Sequence, residues 1–156
     1  MKKLLIIFLL FSTTLFAEKI ERLGFYNIQE LLEDDNLTYK IIKSCVSLNS
    51  AITEITKEDH PKLSKSFFET ANYLYPFGIL TLAKIKSKNY KDVEQEFLDN
   101  VTSQVSDYMD FMKENGATNQ SFIKVTFIGD DLNFCNEIRS AIEITISETK
   151  KLKSQN

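Results

Sequence analysis

Six apolar residues, Leu37, Ile41, Cys45, Leu48, Ile52 and Ile55, follow one another at intervals of 4, 4, 3, 4 and 3. At 3.6 residues per turn this spacing puts all six on one side of an α-helix over 37–56, whereas strand side chains would alternate with a period of two. Asp35 or Asn36 is placed to cap it. A helix with such a stripe must bury it against other elements, and the rest of the chain supplies helices.

Pro61 suits a first helical turn and opens a helix over 61–87, with Leu63, Phe67, Phe68, Ala71, Leu74, Tyr75, Ile79, Leu82 and Ile85 as its apolar set. That set is wide enough to predict a helix enclosed on most sides, and Pro76 predicts a kink in it, helped by Gly78. Over 92–114, Val93, Phe97, Val101, Val105, Tyr108 and Met112 form a third stripe, which Asn115 and Gly116 should end. A fourth helix over 131–149, capped by Asp130 or Asp131, turns Leu132, Cys135, Ile138, Ile142 and Ile146 inward. A short helix precedes these, with Asn27 as cap, Glu30 three residues on, and Leu31 and Leu32 facing the core. Only the stretch 122–128 resists: Ile123, Val125 and Phe127 alternate as in a strand, but nothing else offers a pairing partner. It reads as an extended connection or helical turn.

With 4 Gly and 2 Pro in 156 residues the chain lacks the corner-making residues of a β-sandwich, and 43% hydrophobic with 26% charged residues is the composition of a folded domain. The expectation is an all-α fold: a small four-helix bundle with a short N-terminal helix and a kinked second long helix. Its domain spans 18–149 and is followed by a flexible basic tail, 150–156.

Residues 1–17 carry the parts of a secretory signal: Lys2 and Lys3, the apolar run Leu4 to Phe11, then Ser12, Thr13, Thr14 and a small residue, Ala17. The run is shorter than a membrane span, so cleavage after Ala17 is the expected fate; Leu15, where a small residue is preferred, leaves retention as an anchor as the alternative. Loss of Lys2 and Lys3 takes the net charge from −3 to −5. An acidic exported chain has no electrostatic footprint for nucleic acid. Signal style together with Lys, Ile and Asn usage points to a bacterial periplasmic or secreted protein, so the sequons at Asn36, Asn100 and Asn119 carry no weight. In an oxidising compartment the two cysteines, Cys45 and Cys135, have one intramolecular pairing open to them, and each sits on an apolar stripe. A disulfide between them would join the first long helix to the last.

Catalytic material is scarce. The only histidine, His60, lies between Asp59 and Pro61 and reads as part of a helix-start loop. The acids Glu33, Asp34 and Asp35, and the pair Asp130 and Asp131, lack the spacing of a calcium loop and read as caps. There is no glycine-rich phosphate loop, no nucleophile elbow and no Cys-x-x-Cys. No catalytic residue, metal or cofactor is therefore expected. Aromatic residues gather around Pro76, and Phe67, Tyr73, Tyr75, Phe77 and Phe97 form the candidate patch for a partner, a membrane surface or a ligand. The leading expectation is a non-enzymatic interaction protein (an inhibitor, immunity or chaperone-like module). A carrier of a small apolar ligand near Pro76 comes second, and a hydrolase or metal enzyme third.

Overall fold

The computed structural model describes residues 20–31, 33–119, 121, 123 and 126–154. The signal-like segment 1–17, Leu32, and residues 122, 124 and 125 lie outside them. A 3-10 turn at Leu23–Phe25 leads into α1 (Ile28–Leu31), α2 (Asp35–Thr56), α3 (Pro61–Lys86), α4 (Tyr90–Asn119) and α5 (Ile128–Ser154). The fold is all-helical, a small four-helix bundle behind a short N-terminal helix.

The caps explain where the helices begin and end. Asn27 accepts from Gln29 N at 3.0 Å at the start of α1. The N-cap of α2 is Asp34, one residue before the expected Asp35 or Asn36; its Oδ1 accepts from Asn36 N at 2.8 Å and Leu37 N at 3.2 Å. Lys84 and Lys86 occupy the last turn of α3, which closes on a left-handed Ser87 at φ 52°. Lys84 Nζ also reaches Asp35 Oδ1 at 2.8 Å, so the end of α3 lies beside the start of α2 and the two run antiparallel.

The centre of the bundle is α2, not α3. From Ile41 to Ile52 only Lys43 and Ser50 are not buried. Its small polar residues reach the interior because they satisfy themselves on their own helix. Ser47 donates to Lys43 O at 2.9 Å, Asn49 to Cys45 O at 2.8 Å and Thr56 to Ile52 O at 2.7 Å. With these groups satisfied, α2 packs against α3, α4 and α5 together. By contrast α3 leaves Leu63 and Phe68, two of its expected inward residues, exposed.

The chain runs helically through Pro76. Gly78 serves contact: a Cβ there would lie 2.2 Å from Cζ and 2.5 Å from Cε2 of Phe97 on α4. Its missing side chain therefore lets the two helices close on the ring. Phe97 is fully buried, edge-on to Tyr75 at 5.2 Å and to Tyr39 at 6.0 Å between centroids.

Two apolar clusters fill the interior. One joins Ile41, Cys45, Leu74, Ile79, Leu82, Val93, Phe97, Phe134 and Ile138, and the other joins Leu48, Ile52, Tyr108, Met112, Ile128 and Leu132. Each such side chain contributes about 1.5–3 kcal/mol when fully buried. Within the first cluster Cys45 and Cys135 form a disulfide with Cα atoms 5.4 Å apart, tying α2 to α5 across 90 residues of sequence.

Two helices are longer than expected. Asn115 and Gly116 do not stop α4, because no glycine adopts the positive φ that would end a helix. At the other end α5 continues to Ser154, so Lys150 to Ser154 are helical and exposed. No strand occurs among the described residues; Ile123 and Phe127 pack on the second cluster and Ile128 already belongs to α5.

Candidate functional site

The five aromatic residues expected as a patch lie against the interior. Phe97 is fully buried, Tyr73, Tyr75 and Phe77 are half-buried against the first cluster, and Phe67 is half-buried against the second. Tyr75 meets Phe97, and Tyr73 meets Phe77 at 5.8 Å, but Phe67 stands apart from both pairs. Gly78 admits the Phe97 ring, which makes Tyr75 and Phe97 part of the contact between α3 and α4. Tyr73 also carries the Arg139 guanidinium at 5.2 Å, and Arg139 donates to Thr70 Oγ1 at 2.9 Å, which ties α5 to α3.

His60 is the exposed N-cap residue of α3 and makes no side-chain cap bond. Among the described residues no three His, Cys, Asp or Glu side chains converge as a metal cage would require. Of the acidic pair at the start of α5, Asp130 is exposed, as a first-turn acid should be, but Asp131 is wholly buried.

Asp131 has a different task from helix capping. Its Oδ1 accepts Leu23 N at 2.8 Å and Gly24 N at 3.1 Å, more than a hundred residues away in sequence. One carboxylate thus holds the N-terminal turn onto α5, with Leu23 plugged into the core beneath it. Among the described residues the other oxygen, Oδ2, has no hydrogen-bond partner, and the same holds for Gln104 Oε1 on α4. Burial pushes the Asp131 carboxyl up to about 6; the two backbone N–H groups and Arg22 oppose that shift and Asp130 adds to it. Burial also pushes the Tyr108 hydroxyl above the usual phenol range, reinforced by the charge of Asp131, while the nearby Ser44 hydroxyl acts the other way. Ser44 in turn accepts from Gln104 Nε2 at 2.9 Å.

The consequence of this clamp is visible on the surface. Next to the pinned Leu23 and Gly24, Phe25 is 80% exposed. Arg22 lies 5.8 Å from the Phe25 ring centre and 5.3 Å from that of Phe127, and Phe127 packs on Phe111 at 4.9 Å. Three clefts open around the same turn. One of about 480 Å³ is lined by Gly24, Tyr26, Ile28, Asp130, Phe134 and Glu137 among others. A second, of about 590 Å³, lies over Arg22, Phe111 and Phe127, and a third, of about 130 Å³, lies between Phe25, Phe127 and Asp131. Asp130 borders all three.

This site escapes sequence reasoning because its parts are remote in the chain and individually ordinary. An Asp pair before an apolar run reads as a cap, and Leu23, Gly24 and Phe25 carry no periodicity. No protein-family model, curated protein or solved structure matches the chain. The chemistry of the site therefore has to speak for itself: a clamped turn, an aromatic ring and an arginine held outward, and polar clefts to either side. That arrangement can grip another molecule, and it presents no nucleophile paired with a base.

Proposed function

We propose that this is an exported, non-enzymatic interaction protein that binds a protein partner through the turn at Arg22 to Phe25 and the clefts beside it. The observation that carries the reading is the 80% exposure of Phe25 on a turn whose two preceding residues are fixed by Asp131. An aromatic side chain left in water is an unused apolar contact, and anchoring its backbone removes part of the ordering cost on binding. Aromatic and arginine side chains are also the residue types that dominate interface energetics. Export is supported by the 1–17 signal pattern and by the Cys45–Cys135 disulfide, which persists in an oxidising compartment. Among the described residues no helix is long and apolar enough to cross a membrane.

A carrier of a small apolar ligand near Pro76 has less behind it. Leu74 and Phe97, which would line such a pocket, are fully buried, and the ring of Phe97 occupies the space that Gly78 leaves. The test of the interaction reading is capture from envelope extract on immobilised wild-type protein and on Phe25→Ala. A stoichiometric partner retained by the first and lost by the second, at an unchanged melting temperature, is the expected result. Equal retention by both would overturn the assignment to this turn.

A further inference from the structure

The 480 Å³ cleft between the N-terminal segment and α5 has a composition that specifies what it can hold. Its apolar lining residues are the buried Phe134 and the half-buried Ile28. Its charged lining residues are Asp130 and Glu137, and Asn27, Asn133 and Tyr26 line it with them. Asp130, Asn133 and Glu137 stand at i, i+3 and i+7, so they project from one exposed face of α5. The cations nearby are engaged elsewhere. Lys40 is paired with Glu21, its Nζ 3.4 Å from Tyr26 OH, and Arg22 lies over Phe25 and Phe127 on the far side of Gly24.

Apolar side chains and carboxylates lining one cleft match the aliphatic stem and charged head of a basic side chain. Spacing narrows the match. Seven residues of helix separate Asp130 from Glu137 by about 10 Å, and a peptide in the polyproline II conformation covers about 9 Å in three residues and brings its side chain back to the same face. We propose that this cleft takes a segment of the partner polypeptide in the polyproline II conformation carrying two basic residues three positions apart, one head at Asp130 and the other at Glu137. The stems lie on Phe134 and Ile28, and Phe25 makes the apolar contact next to them. The inference rests on the interaction reading and adds the chemistry of what is bound.

The test uses two acetylated, amidated tetrapeptides of equal charge, Lys-Gly-Gly-Lys and Lys-Lys-Gly-Gly, titrated into the ¹⁵N-labelled protein. Saturable shifts at the amides of Gly24, Asn27, Asp130, Asn133 and Glu137 are expected, with the first peptide bound more tightly than the second. The double variant Asp130→Asn/Glu137→Gln should weaken it about tenfold, the effect of losing two exposed charge pairs. The charge-matched control Glu94→Gln/Asp99→Asn on α4 should leave it unchanged. Equal binding of the two peptides, shifts spread over all surface acids, or equal weakening by the control pair would overturn the proposal. Loss of partner capture by Phe25→Ala together with any of these results would leave the interaction reading standing and remove only the basic-segment assignment.

Discussion

Asp131 should make the stability of the protein fall as the pH rises from about 4 to 7. The carboxyl is buried and titrates at about 6 in the folded chain, against 3.8 for an exposed aspartate. In that interval the folded state holds a proton that the unfolded state has already released. The associated stability is therefore complete below pH 3.8 and is lost as the pH climbs through 6. A difference of roughly two units corresponds to about 3 kcal/mol. Groups that titrate the other way, such as Glu21, held below the usual carboxylate range by Lys40 and Tyr26, contribute to the raw profile, so the informative quantity is a difference between two proteins. Asp131→Asn keeps an acceptor for Leu23 N and Gly24 N and cannot ionise. Urea titrations of wild type and variant at half-unit steps from pH 3.5 to 7.5 should show the variant gaining on wild type by about 3 kcal/mol across the range. A difference that stays flat, or that favours wild type increasingly at high pH, would refute the claim that burial dominates at this carboxylate.

Two other perturbations follow from the packing. Reducing the Cys45–Cys135 disulfide, or replacing both cysteines with serine, frees a 90-residue span, and the chain-entropy model puts the loss at up to about 4–5 kcal/mol; guanidinium unfolding with and without reductant measures it. Gly78→Ala should destabilise by about 1–3 kcal/mol despite the better helix propensity of alanine, because its Cβ would fall 2.2 Å from the Phe97 ring, and paired denaturation curves decide the sign.

The bundle was legible where periodicity and burial coincide. The spacing from Leu37 to Ile55 located α2 to within two residues, and Val93, Phe97, Val101, Tyr108 and Met112 all face inward as their intervals require. The disulfide followed from two cysteines on apolar stripes. Periodicity failed where polar residues satisfy themselves. Ser47 and Asn49 are polar but lie inside, bonded to their own helix, and Ser44 lies inside by accepting from Gln104 on α4, so α2 and not the more apolar α3 is the central helix. The apolar spacing of α3 likewise predicts Leu63 and Phe68 inward, but with α2 at the centre both stay exposed. Asn115 and Gly116 failed as a stop because such a signal ends a helix only when the chain adopts positive φ there.

The site was the least legible part. Composition found the aromatic residues around Pro76 but not which side of α3 meets α4, and Gly78 decides that through a contact 19 residues away in the chain. The clamp on the N-terminal turn depends on a contact between residues 23–24 and 131, which no local pattern announces. Asp131 differs from a capping aspartate only in where its side chain ends. That difference sets the position of Phe25 and borders the clefts beside it.

The clamped turn is proposed to carry the contact with a partner. This is tested most directly by placing a photo-crosslinking phenylalanine analogue at position 25, and at the exposed Ile144 as a control, in the producing cell. One discrete cross-linked product is expected from position 25, disappearing when Asp131→Ala releases the turn, and no such product from position 144. No adduct at position 25, or the same adduct with and without Asp131, would contradict it.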